Sequence, residues 1–106
     1  MKVSVSNLAS EEIRSVARYI QQQFGKKHRI EFRKDVEHKL RLLEDNPHLG
    51  PVESLLLNAS VEYRSVVVNR LNKLVYWINE DTIEVVDFWD VRREPKSLVG
   101  GVAVKD

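Results

Sequence analysis

Residues 62–98 read EYRSVVVNRLNKLVYWINEDTIEVVDFWDVRREPKSL, and this stretch decides the fold. It holds three runs rich in β-branched and aromatic residues, each as long as an ordinary strand, at residues 63–69, 73–79 and 82–89. The polar breaks between the runs, residues 70–72 and 80–81, are short enough to require hairpins. The stretch therefore predicts an antiparallel meander of three strands.

The residues before this meander predict one strand and a first helix. Residues 2–6 alternate polar and apolar side chains, as a half-buried strand does. Ser10 precedes Glu11 and Glu12, and a serine followed by carboxylates favours a helix start at Ser10. Gly25 is the predicted end of this helix. Apolar residues recur at helical spacing and form its predicted buried stripe: Ile13, Val16, Ala17, Ile20 and Phe24.

A second helix is predicted over residues 27–45, with Pro47 and Gly50 stopping it. Its predicted apolar stripe comprises Phe32, Val36, Leu40 and Leu43. The short break between the helices requires a helical hairpin, and residues 46–61 form a loop. The order β-α-α-β-β-β predicts an α+β two-layer sandwich, with the helical hairpin packed on a four-stranded, mainly antiparallel sheet. The second face of the sheet is then uncovered or only partly covered.

Composition bounds the domain organisation and the compartment. The chain of 106 residues is predicted to be one domain over residues 1–99, followed by a glycine-led tail at residues 100–106. It has no cysteine, which excludes thiol catalysis and fits a reducing compartment. No apolar run has the length of a membrane span and no secretion signal begins the sequence, so we expect a cytoplasmic protein. A net charge of +1 predicts that any anion site is local.

Motifs for metal, cofactor and hydrolytic chemistry are missing from the sequence. His28, His38 and His48 share no ligand spacing, so no metal site is predicted. The sequence has no glycine-rich phosphate loop and no G-x-S-x-G motif. We therefore predict no cofactor.

Cations spaced along the edges of the meander are the remaining candidates for function. They are Arg64, Arg70, Lys73, Arg92 and Arg93. The guanidinium fork of arginine suits phosphate, so these residues form a candidate target- or phosphate-binding set. The alternative is that they discourage edge-to-edge aggregation of the sheet. Arg64 and Lys73 share a face if the hairpin loop has two or four residues, and lie on opposite faces if it has three.

Two further features have a structural and a functional interpretation. The second helix is cationic, which fits a solvated face, or else a contact with nucleic acid or an acidic segment of a partner protein. Trp77 and Trp89 suit base stacking, but large aromatics on strands are more often core or interface residues, and we predict the latter.

Several short motifs, in this order, resemble those of the RelE/ParE toxin superfamily. They are Ala17-Arg18-Tyr19-Ile20 with Phe24-Gly25, Pro47-x-x-Gly50, Tyr63-Arg64-Ser65, Leu74-Val75-Tyr76 and Arg92-Arg93-x-Pro95-x-x-Leu98. The resemblance covers nearly the whole chain. It implies the toxin of a bacterial type II toxin–antitoxin module, of the plasmid-stabilisation kind, which a cognate antitoxin neutralises.

The superfamily has two activities, and the first is ribosome-dependent cleavage of mRNA by RelE-like members. By resemblance, Arg64 and Val66 replace two lysines of the RelE pattern, and Lys73 replaces an arginine. Arg93 keeps its arginine, and Val99 stands in place of a tyrosine. Arg64, Lys73 and Arg93 are the catalytic candidates if the chain is RelE-like. An arginine stays protonated and is a poor general base, so this pattern disfavours cleavage.

The second activity, inhibition of DNA gyrase by ParE-like members, is the one that we favour. It needs no catalytic residues in the toxin, so their loss is expected. The third alternative is an inactive interaction domain that keeps the toxin fold. The resemblance implies an antitoxin partner, DNA gyrase or the ribosome with mRNA as target, and a homodimer or toxin–antitoxin hetero-oligomer. We expect the antitoxin to contact Leu55, Leu56 and Leu57, or the exposed sheet face.

Overall fold

The computed structural model describes residues 1–91 and confirms the α+β fold. Its elements follow the predicted order: β1 (Lys2–Val5), α1 (Asn7–Phe24), α2 (Lys26–Asp45), a 3-10 turn (Ser54–Leu56), β2 (Arg64–Val67), β3 (Asn72–Asn79) and β4 (Thr82–Asp90). The predicted tail at residues 100–106 and the predicted domain end at residue 99 lie outside the described residues, as do Arg92 and Arg93.

The four strands form one sheet in the order β1-β4-β3-β2. β2 and β3 are antiparallel, as are β3 and β4, and both pairs are joined by hairpins. β1 is parallel to β4, with Val3 opposite Ile83. A parallel pair needs a long crossover, which the rest of the chain, including both helices, supplies. The prediction of a mainly antiparallel four-stranded sheet is confirmed.

Both helices pack on one face of this sheet and enclose the main core. Phe32 of α2 meets Phe88 of β4 edge-on, with ring centroids 6.0 Å apart. Most of the predicted stripes lie in this core or against it. Its buried members are Ala9, Ile13, Ala17, Phe32, Val36, Leu43, Val66, Leu74, Tyr76, Ile83, Val85 and Phe88.

The predicted start of the first helix at Ser10 was wrong. The N-cap is Ser6, whose Oγ accepts a hydrogen bond from the Ala9 N–H at 3.0 Å. The same hydroxyl donates to the carbonyl of Val86 at 3.1 Å, so β4 holds this cap in place. Ser10 is instead within the first turn, and its N–H donates to the Ser6 carbonyl. The helix therefore begins four residues earlier than predicted, at a cap that a tertiary contact supports.

Phe24 was predicted to be buried and is 62% exposed. The main core takes in α1 as far as Ile20, and Phe24 follows one turn later, at the end of the helix. Its ring contacts His28 of α2, with centroids 6.0 Å apart. The apolar stripe of α1 thus extends one turn beyond the part of the helix that packs in the main core.

The chain between α2 and β2 partly covers the second face of the sheet. Here Leu56 and Tyr63 pack against Val75 and Trp89 in a second buried cluster. Backbone hydrogen bonds fasten this segment to the outer edge of β2, including that from the Ser65 N–H to the Pro51 carbonyl at 3.1 Å. The second face is therefore partly covered, and Val67 of β2 remains exposed on it.

Candidate functional site

The β2–β3 hairpin has a three-residue turn. The Val68 N–H donates to the Asn72 carbonyl at 2.9 Å, which leaves residues 69–71 as the loop. Asn69 Oδ1 accepts hydrogen bonds from the N–H groups of Leu71 and Asn72, at 2.8 and 2.9 Å. Asparagine is well suited to this local bond, so residue 69 sets the length of the loop.

This turn places Arg64 and Lys73 on opposite faces of the sheet. Arg64 is opposite Tyr76, which lies in the main core beneath the helices. Lys73 is opposite Trp89 on β4, which lies in the cluster on the second face. Side chains of paired residues point to the same face, so the two cations do not converge.

Arg64 is held at the edge of the sheet by two neighbours. Its Nη1 donates to the Gly50 carbonyl at 2.9 Å, and its Nη2 lies 3.2 Å from Glu62 Oε1. The side chain is 18% exposed, so part of the guanidinium still reaches solvent. Arg70 lies in the exposed β2–β3 turn. Of the predicted cations that the structure describes, Arg70 is the most available to a partner.

Lys73 is engaged within the molecule. Its Nζ lies 2.6 Å from Glu53 Oε2 and 5.4 Å from the centre of the Trp89 ring. The side chains of Lys73 and Glu53 are only 16% and 5% exposed. A partly buried cation with an ion-pair partner and an aromatic face has little capacity left for a target phosphate.

Glu53 is the residue that sequence reasoning missed. Its Oε2 also accepts a hydrogen bond from Ser65 Oγ at 2.5 Å, and its Oε1 accepts one from the Leu55 N–H at 3.5 Å. Burial raises the pKa of Glu53, but the hydrogen bonds from Lys73 and Ser65 and the charge of Lys73 outweigh burial and hold it below its ordinary value. Nothing in the local sequence marks Glu53, because its partners come from β2 and β3.

A cleft of about 330 Å³ opens where β3 extends beyond the start of β2. It is lined by His48, Val61, Glu62, Arg64, Trp77 and Ile78. Trp77 is half-buried here, whereas Trp89 is 2% exposed and belongs to the second-face cluster. Both tryptophans pack against apolar neighbours, as predicted, and Trp77 also offers part of its ring to the cleft.

The predicted antitoxin contacts divide into exposed and buried residues. Leu56 is 2% exposed and anchors the second-face cluster, so it offers no surface to a partner. Leu55 and Leu57 are 38% and 68% exposed. The 3-10 turn explains the division, because it directs the middle leucine inward.

Neither α1 nor α2 contains the length of apolar sequence that a membrane span requires. Within residues 1–91, no group of three or more histidines and carboxylates is placed to hold a metal ion.

The fold defines the class: a helical hairpin on a four-stranded mixed sheet, as expected for the RelE/ParE superfamily. The sequence model of one protein family, described as the ParE toxin of the type II toxin–antitoxin system, parDE, matches residues 3–95. The chain therefore belongs to the ParE toxin family of type II toxin–antitoxin systems.

Two solved structures are similar to this fold. One is the chromosomal ParDE toxin–antitoxin system from P. aeruginosa, with a TM-score of 0.70 and 12% identity, covering 86% of this chain and 96% of that chain. The other is the YoeB dimer from Staphylococcus aureus, with a TM-score of 0.54 and 22% identity, covering 82% of this chain and 92% of that chain. No curated protein matched the chain in sequence.

Proposed function

We propose that this toxin acts in the cytoplasm as a non-catalytic inhibitor of DNA gyrase. The observation that carries the proposal is the separation of Arg64 and Lys73 on opposite faces of the sheet. Cleavage of RNA needs an acid, a base and cations gathered around one phosphate. In the described part of the chain, these two candidate cations are apart and each is paired with a carboxylate.

The remaining cations support binding without chemistry. Arg70 is exposed in the β2–β3 turn, and Arg92 and Arg93 follow β4 in the sequence. We propose these arginines, with the exposed part of Arg64, as contacts with the target. Arginine binds carboxylates as well as phosphates, so these arginines suit a target that contains both protein and DNA.

Membership of a toxin–antitoxin family supports a cognate antitoxin as the neutralising partner. We propose that Leu55 and Leu57 contribute to its contact surface, because both are exposed aliphatic residues next to the buried Leu56. A homodimer or a toxin–antitoxin hetero-oligomer fits the same proposal.

A RelE-like cleavage of mRNA is the second candidate, and the cleft at the edge of β3 is the observation that favours it. His48, Arg64 and Trp77 line this cleft and could serve as proton carrier, phosphate ligand and stacking ring. Against it, Glu62 also lines the cleft and pairs with Arg64, and an anion would have to displace that carboxylate.

Controlled expression in the absence of the antitoxin distinguishes the two candidates when RNA and DNA are followed together. The proposal predicts filamentation and a DNA-damage response with stable mRNA. A His48→Ala variant should be as toxic as the wild type, because gyrase inhibition needs no proton carrier. Rapid cleavage of translated mRNA that His48→Ala abolishes would replace the proposal with the second candidate. Normal growth from soluble protein would show an inactive domain.

A further inference from the structure

The first half of α2 concentrates positive charge. Residues 26–34 hold five cations and one carboxylate, Glu31, so this segment is +4 although the whole chain is only +1. The rest of the chain, with 12 cations and 15 carboxylates, is −3. Arg29 is partly buried, and its Nε is shielded from solvent. The other four cations are exposed and are called the basic face: Lys26, Lys27, Arg33 and Lys34.

The basic face is a continuous surface of α2 that the core does not use. Lys26 and Arg33 are seven residues apart, as are Lys27 and Lys34, so each pair lies on one side of the helix, two turns apart. Two turns of helix are about 10 Å long. Phe32 and the residues that follow it in the apolar stripe hold α2 against the main core. The core therefore fixes the orientation of the basic face.

The cations of the basic face have no carboxylate partner within the molecule. None of the four forms an ion pair with another residue of the described range 1–91. By contrast, Arg41, Arg64 and Lys73 each pair with a carboxylate. The basic face is therefore available to an anion from another molecule.

Helix stability does not explain this arrangement of charge. The N-terminus of a helix favours carboxylates, and its C-terminus favours cations. In α2 the order is reversed: Lys26 and Lys27 lie in a first turn without acidic residues, whereas Glu44 and Asp45 lie in a last turn without basic residues. The helix dipole repels the two lysines, and an anion bound beside them relieves that repulsion.

We infer that the basic face binds the phosphate backbone of duplex DNA. Its two pairs of cations are about 10 Å apart along the helix axis, which equals about three base-pair steps of B-DNA, so both pairs reach phosphates of one duplex. Such contacts hold the protein on DNA without reading the base sequence. This contact rests on the proposed function for its role, which is to bind the toxin to the DNA that gyrase holds.

The composition of the face favours duplex DNA over a protein or a single strand. Protein interfaces centre on apolar and aromatic residues and are depleted of lysine, whereas this face has three lysines and an arginine around Ile30. Proteins that bind single strands stack the bases on aromatic rings. In α2, all of which the structure describes, there is no tyrosine or tryptophan, and Phe32 is buried in the core. A phosphate backbone is the complementary partner.

Fluorescence anisotropy measures this contact, with a labelled duplex of arbitrary sequence titrated with the full-length toxin. Four neutralised phosphates give a slope of about −3.6 for log affinity against log salt concentration. We therefore expect the affinity to fall about a hundredfold between about 50 and 200 mM salt. In the variant Lys26→Gln/Lys34→Gln, the slope should fall to about −2 and the affinity at the lower salt concentration should fall about tenfold.

A matched variant separates the basic face from net charge. Lys2→Gln/Arg41→Gln removes the same charge at exposed positions outside the face, and it should keep wild-type affinity within about twofold. Thermal unfolding excludes a folding defect: Lys26→Gln/Lys34→Gln should be at least as stable as the wild type, because it removes a cation that the helix dipole repels.

Several outcomes would overturn the inference. They are no binding at the lower salt concentration, an equal loss of affinity in both double variants, tighter binding of a single strand than of the duplex, and a glutamate-rich peptide that competes as well as unlabelled duplex. Gyrase supercoiling is assayed separately. A toxin that binds duplex DNA through the basic face without inhibiting gyrase would refute the proposed function and leave this contact standing.

Discussion

Glu80 has a backbone φ of 56°, in the left-handed region that side chains other than glycine and asparagine rarely adopt. It is the first residue of the two-residue turn between β3 and β4, where Asn79 is opposite Thr82. Tight hairpins require this conformation, and the sequence supplies a residue poorly suited to it. The turn is therefore under strain that one substitution can relieve.

We predict that Glu80→Asn stabilises the fold by about 0.5 kcal/mol, because asparagine tolerates the left-handed region better than glutamate. Thermal or urea unfolding measures the difference. Asp81→Asn is the matched control, since it removes a charge at the other turn residue, where φ is not positive. A Glu80→Asn variant no more stable than Asp81→Asn would contradict the assignment of strain to residue 80.

The Lys73–Glu53 pair provides a prediction about burial. Lys73→Met leaves the Glu53 carboxylate buried without its cation, which should lower the free energy of unfolding by about 3 kcal/mol. Removing both charges, in Lys73→Met/Glu53→Gln, should restore part of that loss. The control is Arg41→Met, which breaks the exposed Arg41–Glu37 pair and should cost about 0.5 kcal/mol or less. Equal losses at the two pairs would refute the role given to Lys73.

The lowered pKa of Glu53 gives the same pair a pH dependence. The folded carboxyl binds a proton less readily than the unfolded one, so its contribution to stability is present above its ordinary pKa of 4.5. That contribution is lost as the pH falls through the folded pKa. We therefore expect acid unfolding of the wild type to be steeper below pH 4.5 than that of Glu53→Gln. Parallel pH profiles for the two proteins would exclude this contribution.

At the scale of elements, Gly50 controls how the loop after α2 meets the sheet. A Cβ built on Gly50 would lie 2.3 Å from the Ser65 carbonyl oxygen and 3.1 Å from Tyr76 Cε1. The Gly50 N–H donates to the Tyr76 hydroxyl at 3.0 Å, and that hydroxyl donates to the Pro47 carbonyl at 2.8 Å. The loop, β2 and β3 therefore meet at a residue without a side chain.

We predict that Gly50→Ala costs about 2–3 kcal/mol, because the clash is with backbone that cannot move without breaking the β2 edge contacts. Gly25→Ala is the comparison: no atom lies within 4 Å of its Cβ, but φ is 96°, so only backbone strain of about 1 kcal/mol is expected. Urea unfolding of both variants measures the two costs. A Gly50→Ala loss no larger than that of Gly25→Ala would contradict the close approach.

How far the sequence predicts these elements depends on the range of the interactions involved. Apolar residues recur every three to four residues in the helices and every two residues in the strands. These patterns are local, so the helices and strands could be predicted from the sequence. The cap at Ser6 and the exposure of Phe24 depend on where β4 and the sheet end, which no local pattern records. The face of the sheet on which Lys73 lies depends on whether the β2–β3 loop has an even or an odd number of residues. The hydrogen bonds of Asn69 favour the three-residue loop.

The candidate site was less predictable than the fold for the same reason. The five cations could be identified from the sequence, but not their partners. Glu53 lies twenty residues before Lys73 in the chain and meets it only because the loop folds over the second face. The cleft at the edge of β3 likewise brings His48 near Trp77, although the two are distant in sequence.

At the scale of the whole molecule, the proposed antitoxin contacts and the proposed target contacts lie on different elements. The loop before β2 carries Leu55 and Leu57, which we propose as antitoxin contacts. The β2–β3 turn carries Arg70, and the edge of β2 carries the partly exposed Arg64; we propose both as target contacts.

The most direct test of the account is a supercoiling assay with purified DNA gyrase, relaxed plasmid and the full-length toxin. The account predicts that the toxin blocks supercoiling or traps cleaved DNA in a dose-dependent manner, and that Arg70→Glu weakens this inhibition while Arg18→Glu does not. The same preparation should leave ribosome-bound mRNA intact. Full gyrase activity at toxin concentrations that cleave mRNA on ribosomes would contradict the central claim.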